Sequence, residues 1–441
     1  MEFLKAVRAA DGPVRNRPRL SAAATVLILG LALAGCGSDE AAPHEPELVR
    51  VGVGDVDEAL SEAGPGDVIL LEAGVYEQTI QVDTPGITLR GEDRDAVVVD
   101  GKGERGDGIV VTADDVAVEN LTVRGHLLNG VLVTGMTGED GTGLGRGSTG
   151  YTTLDPETTP PVENFRVRHV TAVRNGLYGI YAFHATTGLI EDNYASGGAD
   201  SGIYVGQCNP CRTLVRGNKA EHNAVGFENA NASGEMYVVG NDFSGNRVGM
   251  TITSDYKEAL VPQSDSVVIG NRISDNNDEE SPVHAEGAFG IGIGLAGATN
   301  NRIERNLVSG NETAGLLLAE SEDLPAEGNG VRGNEFAGNG VDLANVSSKR
   351  APAKGNCLEG NLFTSIAPES LAEADGCGGA VQPSTELDRD EAPPGLPFFE
   401  SPLPGPKDGM EDVETLDRGP AVEMPGRDVI DSIALPTGRE R

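Results

Sequence analysis

Residues 190–195 read IEDNYA, and the same phrase returns six times: VRGNKA at 215–220, VVGNDF at 238–243, VIGNRI at 268–273, IERNLV at 303–308, VRGNEF at 331–336 and LEGNLF at 358–363. Its fixed point is an asparagine, at Asn193, Asn218, Asn241, Asn271, Asn306, Asn334 and Asn361. The spacings run from 23 to 35 residues, the range of stacked supersecondary units that each bury a face against the next. Between the phrases lie short Val- and Ile-rich runs broken by Gly and Asn, with no long helical period. About 23 residues suffice for three short strands and three turns. Parallel neighbours of this kind need crossovers, which are right-handed.

The chain is therefore predicted to be all-β, a right-handed parallel β-helix (solenoid) with a short N-terminal capping helix over Val56 to Ala63 and an extended C-terminal tail. Stacking places like residues about 4.8 Å apart. The apolar positions three before each Asn (Ile190, Val215, Val238, Val268, Ile303, Val331, Leu358) and two after it (Ala195, Ala220, Phe243, Ile273, Val308, Phe336, Phe363) should both line the core. The asparagines suit left-handed turn geometry and amide ladders between coils. Asn223, Asn246, Asn276, Asn311 and Asn339, five residues further on, read as turn residues, and so does His222.

Gly is abundant at 61 residues, Trp is absent and the formal charge is −36. Such a surface repels nucleic acid and anionic lipid, so no nucleic-acid partner is expected. Residues 1–35 carry a basic stretch ending at Arg19 and an apolar run over 20–34, too short for a confident membrane span. The run closes in Leu33-Ala34-Gly35-Cys36, which resembles a bacterial lipoprotein signal. The resemblance implies cleavage before Cys36, acylation (palmitate) of that cysteine, export, and a lipid anchor on the outer side of the cell membrane. Residues 36–46 read as a tether, 47–380 as the β-helix, and 381–441 as a tail holding 14 acidic and 6 basic residues, extended or disordered. Cys208, Cys211, Cys357 and Cys377 remain, an even number suited to disulfides outside the cell. Three pairings exist; proximity favours Cys208–Cys211 and Cys357–Cys377.

A Gly-led strand recurs in each coil, as at Gly179-Ile-Tyr-Ala, Gly202-Ile-Tyr-Val and Gly226-Phe-Glu-Asn. Alternation sends its third residue outward, giving a column of Tyr181, Tyr204, Glu228 and Thr251, with Leu132 before them. Insertions over 135–162, 254–266 and 277–288 flank this strand, and long loops on one side of a solenoid form its binding side. The expectation is an open groove floored by Tyr181, Tyr204 and Glu228, with Phe183, Gln207, Asp200 and Tyr256 around it, where stacked phenols would hold sugar rings. Weaker candidates for catalysis are Glu228 as base, Tyr204 as donor, Lys257 as charge neutraliser, and His184. Asp192 and Asp200 are candidates for calcium, though no metal motif is present and no cofactor is expected.

From Val51 to about Phe363 the chain resembles the pectin-lyase-like right-handed β-helix superfamily, with NosD-type repeats. The phrases PGDVILLEAGVY (65–76) and PGITLRG (85–91) resemble its entry segment. The resemblance implies two alternatives: a cell-envelope lipoprotein binding a polysaccharide or another envelope component in a groove on one face, or a polysaccharide lyase, epimerase or hydrolase. The Asp-Pro-His-Asp segment of alginate epimerases is absent, and Asp155-Pro-Glu does not replace it.

Overall fold

A computed structural model describes residues 44–138, 158–373, 376–388 and 391–437. The expected signal segment over 1–35, Cys36 and much of the 135–162 insertion lie outside these residues. Each coil contributes one strand to each of three parallel sheets. Among the described residues the first sheet has 11 strands, from Leu48–Val51 to Gly330–Arg332. The second has 10, from Gly74–Tyr76 to Glu335–Ala337, and the third has 11, from Ile80–Val82 to Ile366–Ala367. The expected parallel β-helix is thus borne out. One continuous apolar core threads it from Val51 to Ala353.

Both predicted core columns run down this interior, from Ile190 to Val331 and from Ala195 to Phe336. The last coil departs from the pattern. Leu358 is only partly buried, and Phe363 is 37% exposed, because no further coil stacks over it. At the opposite end the helix Val56–Glu62 closes the core with Val56 and Leu60. These are one helical turn apart and so share a face.

The asparagines form ladders, but they are not the left-handed residues. That backbone conformation belongs to the residue before each one: Asp192 (φ 54°), Gly217 (66°), Gly240 (64°), Gly270 (69°), Arg305 (50°), Gly333 (62°) and Gly360 (66°). The left-handed residue turns the chain, and the following Asn then points its amide inward. Asn193, Asn218, Asn241, Asn271, Asn306 and Asn334 each donate to the next amide at 2.9–3.0 Å. The second set does the same from Asn223 to Asn339. A third ladder, Gln263–Asn301–Asn329–Asn356–Gln382, occupies the remaining corner. Its last rung, Gln382, lies two residues beyond the boundary drawn from composition.

The structure pairs Cys208 with Cys211 and Cys357 with Cys377. Beyond Gln382 the chain has little regular structure, yet it follows the solenoid surface. Thr385 binds Asn345, Met410 binds Asn120, and Ile430 packs on Val267 and Ile269 of the first sheet.

Candidate functional site

The third sheet carries the predicted outward column in register. Val110, Leu132, Tyr181, Tyr204, Glu228, Thr251, Gly294 and Leu317 are successive neighbours across its strands. Alternation therefore worked, but the expected open floor did not appear. Tyr181 and Tyr204 are each 1% exposed, and Phe183 and Gln207 are fully buried. Tyr181, Phe183 and Tyr204 form a second apolar cluster outside the sheet, with Val110, Leu132, Met136, Tyr178 and Ala230. Large rings on an outer sheet face gain more from burial than from display to water.

Tyr178 is the member that sequence reasoning missed. Its ring lies 4.3 Å from that of Tyr181 and 4.8 Å from that of Tyr204, and Tyr181 and Tyr204 meet edge-on at 4.8 Å. Gly206 makes this possible, since a Cβ there would sit 2.4 Å from the Tyr204 ring. Polar groups edge the rings. The Tyr178 hydroxyl donates to Asp200 at 3.2 Å, and the Ser201 hydroxyl donates to Glu228 at 2.7 Å.

The loop after Thr253 supplies Glu258, whose carboxylate accepts from the Tyr204 hydroxyl. The residue expected to face the site from this loop was Lys257. It is instead exposed, and its backbone N–H bonds to Asp255. A turn over 255–258 places only one of two adjacent side chains inward. Tyr256 is also exposed, at 45%, and its hydroxyl donates to Asp323 at 2.8 Å. Gln207 does join the site: its Oε1 accepts from the Ala259 N–H at 2.9 Å, tying the loop to the sheet.

Burial, reinforced by the Glu258 charge, holds the Tyr204 phenol well above its ordinary range. It stays protonated, as a donor must, but its hydrogen bond is already committed to Glu258. His184 is buried with φ 54°, and its Nε2 lies 2.7 Å from the Thr159 carbonyl; it serves a turn. His222 is a left-handed turn residue bonded to Asp278 at 2.8 Å. Asp192 and Asp200 flank the Tyr194–Ser196 strand at opposite ends and do not converge. Among the described residues, the one group of three close metal-ligand types is Cys357, Glu359 and Cys377, and its two cysteines are bonded to each other.

His284 is a further missed residue. It is half-buried, near enough to Asp200 to feel its charge, and burial lowers its pKa below the ordinary histidine value. The backbone N–H groups of Glu286 and Ala288 point at its Nδ1. The neutral ring therefore carries its proton on Nε2. No period marks such a residue, since it sits in an insertion.

A sequence profile described as "Right handed beta helix region" matches residues 105–263 and 249–378, together more than half of the chain. Among solved structures, the A-module of a mannuronan C-5 epimerase from Azotobacter vinelandii is 15% identical, with a TM-score of 0.44 over 71% of this chain and 89% of that one. The pectate lyase Pel9A is 14% identical, with a TM-score of 0.40 over 77% and 81%. A mannuronic acid-specific family 6 lyase from human gut microbiota is 13% identical, with a TM-score of 0.43 over 73% and 83%. These likenesses concern the fold alone. A search of curated protein sequences gives no match.

Proposed function

Since the chain belongs to the right-handed β-helix family, we propose that it is an exported protein, lipid-anchored through Cys36, that binds a polysaccharide on the outer face of its third sheet. The observation that carries this reading is the preformed cluster of Tyr178, Tyr181 and Tyr204, edged by Asp200, Glu228, Glu258 and His284. Buried rings fix the positions of the polar groups around them, and fixed polar groups bind a hydroxyl-rich ligand at low entropic cost. The exposed Tyr256 offers a stacking surface at the edge.

Binding is favoured over lyase, epimerase or hydrolase chemistry by two features. The hydroxyl of Tyr204, the expected donor, already gives its hydrogen bond to Glu258, and Lys257, the expected charge neutraliser, is exposed. A catalyst needs an acid, a base and a charge neutraliser brought together. The test is a glycan array with the full mature chain beside Tyr256→Ala and Glu228→Gln, plus absorbance screening for unsaturated uronates. Binding by the wild type that weakens at least tenfold in either variant is expected, without product absorbance. No binding to any glycan would sink the reading, and new absorbance would replace it with the lyase alternative.

A further inference from the structure

The tail and the arginines beneath it form a second arrangement, which adjoins the first where Arg247 comes within electrostatic reach of His284 and does not rest on the polysaccharide reading above. Residues 391–417 travel the solenoid against its own direction, and 418–437 turn back along it. The Pro393 carbonyl accepts from Arg247 Nη1 at 2.8 Å, Ser401 from Arg174 Nε at 2.7 Å, and Asp408 from Arg94 Nη1 at 2.8 Å. The Val413, Thr415 and Asp417 carbonyls then accept from Arg90 at 2.8–3.1 Å, and the Arg418 and Gly419 carbonyls from Arg166. Over the second sheet, Lys407 lies 3.9 Å from the centre of the Tyr194 ring.

Two features set this strap apart from a terminal segment packed for stability. First, it buries very few of its residues fully. Of residues 391–437 only Ser401 and Ile430 are buried, whereas Phe399 and Leu403 are each 56% exposed. Second, it meets the arginines beneath it with backbone carbonyls rather than with ion pairs. Arg90 pairs with Glu119 at 2.9 Å, but among the described residues Arg94, Arg166, Arg174 and Arg247 form no ion pair with a carboxylate. The strap is rich in acids, yet the one described ion pair from it to the solenoid is Arg50–Glu414.

Arg247 is the extreme case. It is fully buried, it stacks 5.2 Å from Phe289, and its Nη2 has no hydrogen-bond partner. Gly395 lies directly over it, where a Cβ would come within 2.6 Å of that nitrogen. Burial lowers the pKa of Arg94 to about 10 and moves Arg166 and Arg247 the same way. A buried guanidinium hydrogen-bonded only to neutral oxygens is costly, and an anionic oxygen in the same place makes a stronger, charge-assisted bond.

We propose that the strap is a displaceable cover over a row of anion sites at Arg94, Arg174 and Arg247, and that the ligand replacing it is an extended chain bearing repeated anionic groups. Arg94 and Arg247 stand five coils apart, about 24 Å along the axis at one strand spacing per coil, which suits a linear polymer better than a small anion. The tail from 381 onward carries 14 acidic and 6 basic residues, so its departure also removes negative charge from the approach.

The test uses the full chain with a specific protease sequence inserted after Leu387. The tail holds no cysteine, so it is free to leave once cut. Cut and uncut protein are titrated with polygalacturonate and with polyphosphate of matched length, which separates carboxylate from phosphate as the preferred group. Cutting is expected to tighten binding of at least one polymer tenfold or more. A peptide of residues 391–419 should reverse the gain, and Arg174→Gln, at a half-buried position, should lower it severalfold, while Arg212→Gln, at an exposed arginine paired with Glu235, leaves it unchanged. Equal affinity before and after cutting, no binding to either polymer, or a cut tail that stays bound at saturating polymer would overturn the proposal.

Discussion

The amide ladders make the sharpest energetic prediction, at Asn241. Its Oδ1 accepts from the backbone N–H of Asn218 at 3.0 Å and from Asn218 Nδ2 at 2.9 Å. Its Nδ2 donates to the Val215 carbonyl at 3.0 Å and to Asn271 Oδ1 at 2.9 Å. Asn241→Ala deletes four hydrogen bonds and leaves their partners in a site only 2% exposed. At about 1 kcal/mol per bond the loss is about 4 kcal/mol. Asn361, the last rung, makes three such bonds, but it is half-buried and water replaces part of what is lost. Asn361→Ala should cost about 1–2 kcal/mol.

Urea unfolding followed by far-ultraviolet circular dichroism measures both costs. Because a solenoid is nearly one-dimensional, the central variant should also uncouple the coils on its two sides and broaden the transition. Hydrogen exchange supplies the local reading. The Asn218 amide bonds only to the side chain of Asn241, so its protection should fall by orders of magnitude in Asn241→Ala and hold in Asn361→Ala. Equal costs for the two variants, or an unchanged Asn218 amide, would refute the ladder as a principal source of cohesion.

Two further outcomes are expected. His126 occupies a rung of the second ladder, fully buried, and neither ring nitrogen makes a well-formed hydrogen bond. Burial lowers its pKa to about 4, outweighing the nearby Val99 and Asp107 carbonyls. The unfolded chain, titrating near 6.5, takes up the proton first as pH falls. Stability is then lost between pH 6.5 and 4, by about 3 kcal/mol in total, and a His126→Asn melting profile should lack that component. For the candidate site, Tyr204→Phe should cost about 2 kcal/mol. A double-mutant cycle with Glu258→Gln should show coupling of about 1 kcal/mol or more; coupling near zero in thermal melts would mean that Glu258 does not hold the ring.

The scaffold was readable because each rung repeats a local rule. The left-handed residue and the asparagine after it are adjacent in sequence, so Gly217-Asn218 and Gly240-Asn241 announce the turn wherever they occur. The third ladder escaped notice because it mixes Asn with Gln, begins only at Gln263, and has no flanking phrase as regular as the first. His126 escaped for the same reason: an imidazole fills a rung where the pattern calls for an amide, and only the coil above reveals the substitution.

The site was half legible, and the missing half has one physical cause. Period-two alternation fixes which way Tyr204 points, so its outward direction follows from neighbours two residues away. Whether it meets water depends on Glu258, 54 residues later, at the tip of an insertion without a period. The strap is the limiting case. Between its side-chain anchors at Lys407, Glu414 and Ile430 it is held through carbonyl oxygens, which every residue possesses, so most of its own sequence carries no record of where it docks. What remains readable is the other side of the contact: an arginine at an outward or corner position, as at Arg94, Arg174 and Arg247, in a chain that is otherwise strongly acidic. On a solvated surface such a residue means little. Three of them under one segment, which meets them with carbonyls and forms no ion pair with them, imply that the cover and the preferred ligand are different molecules.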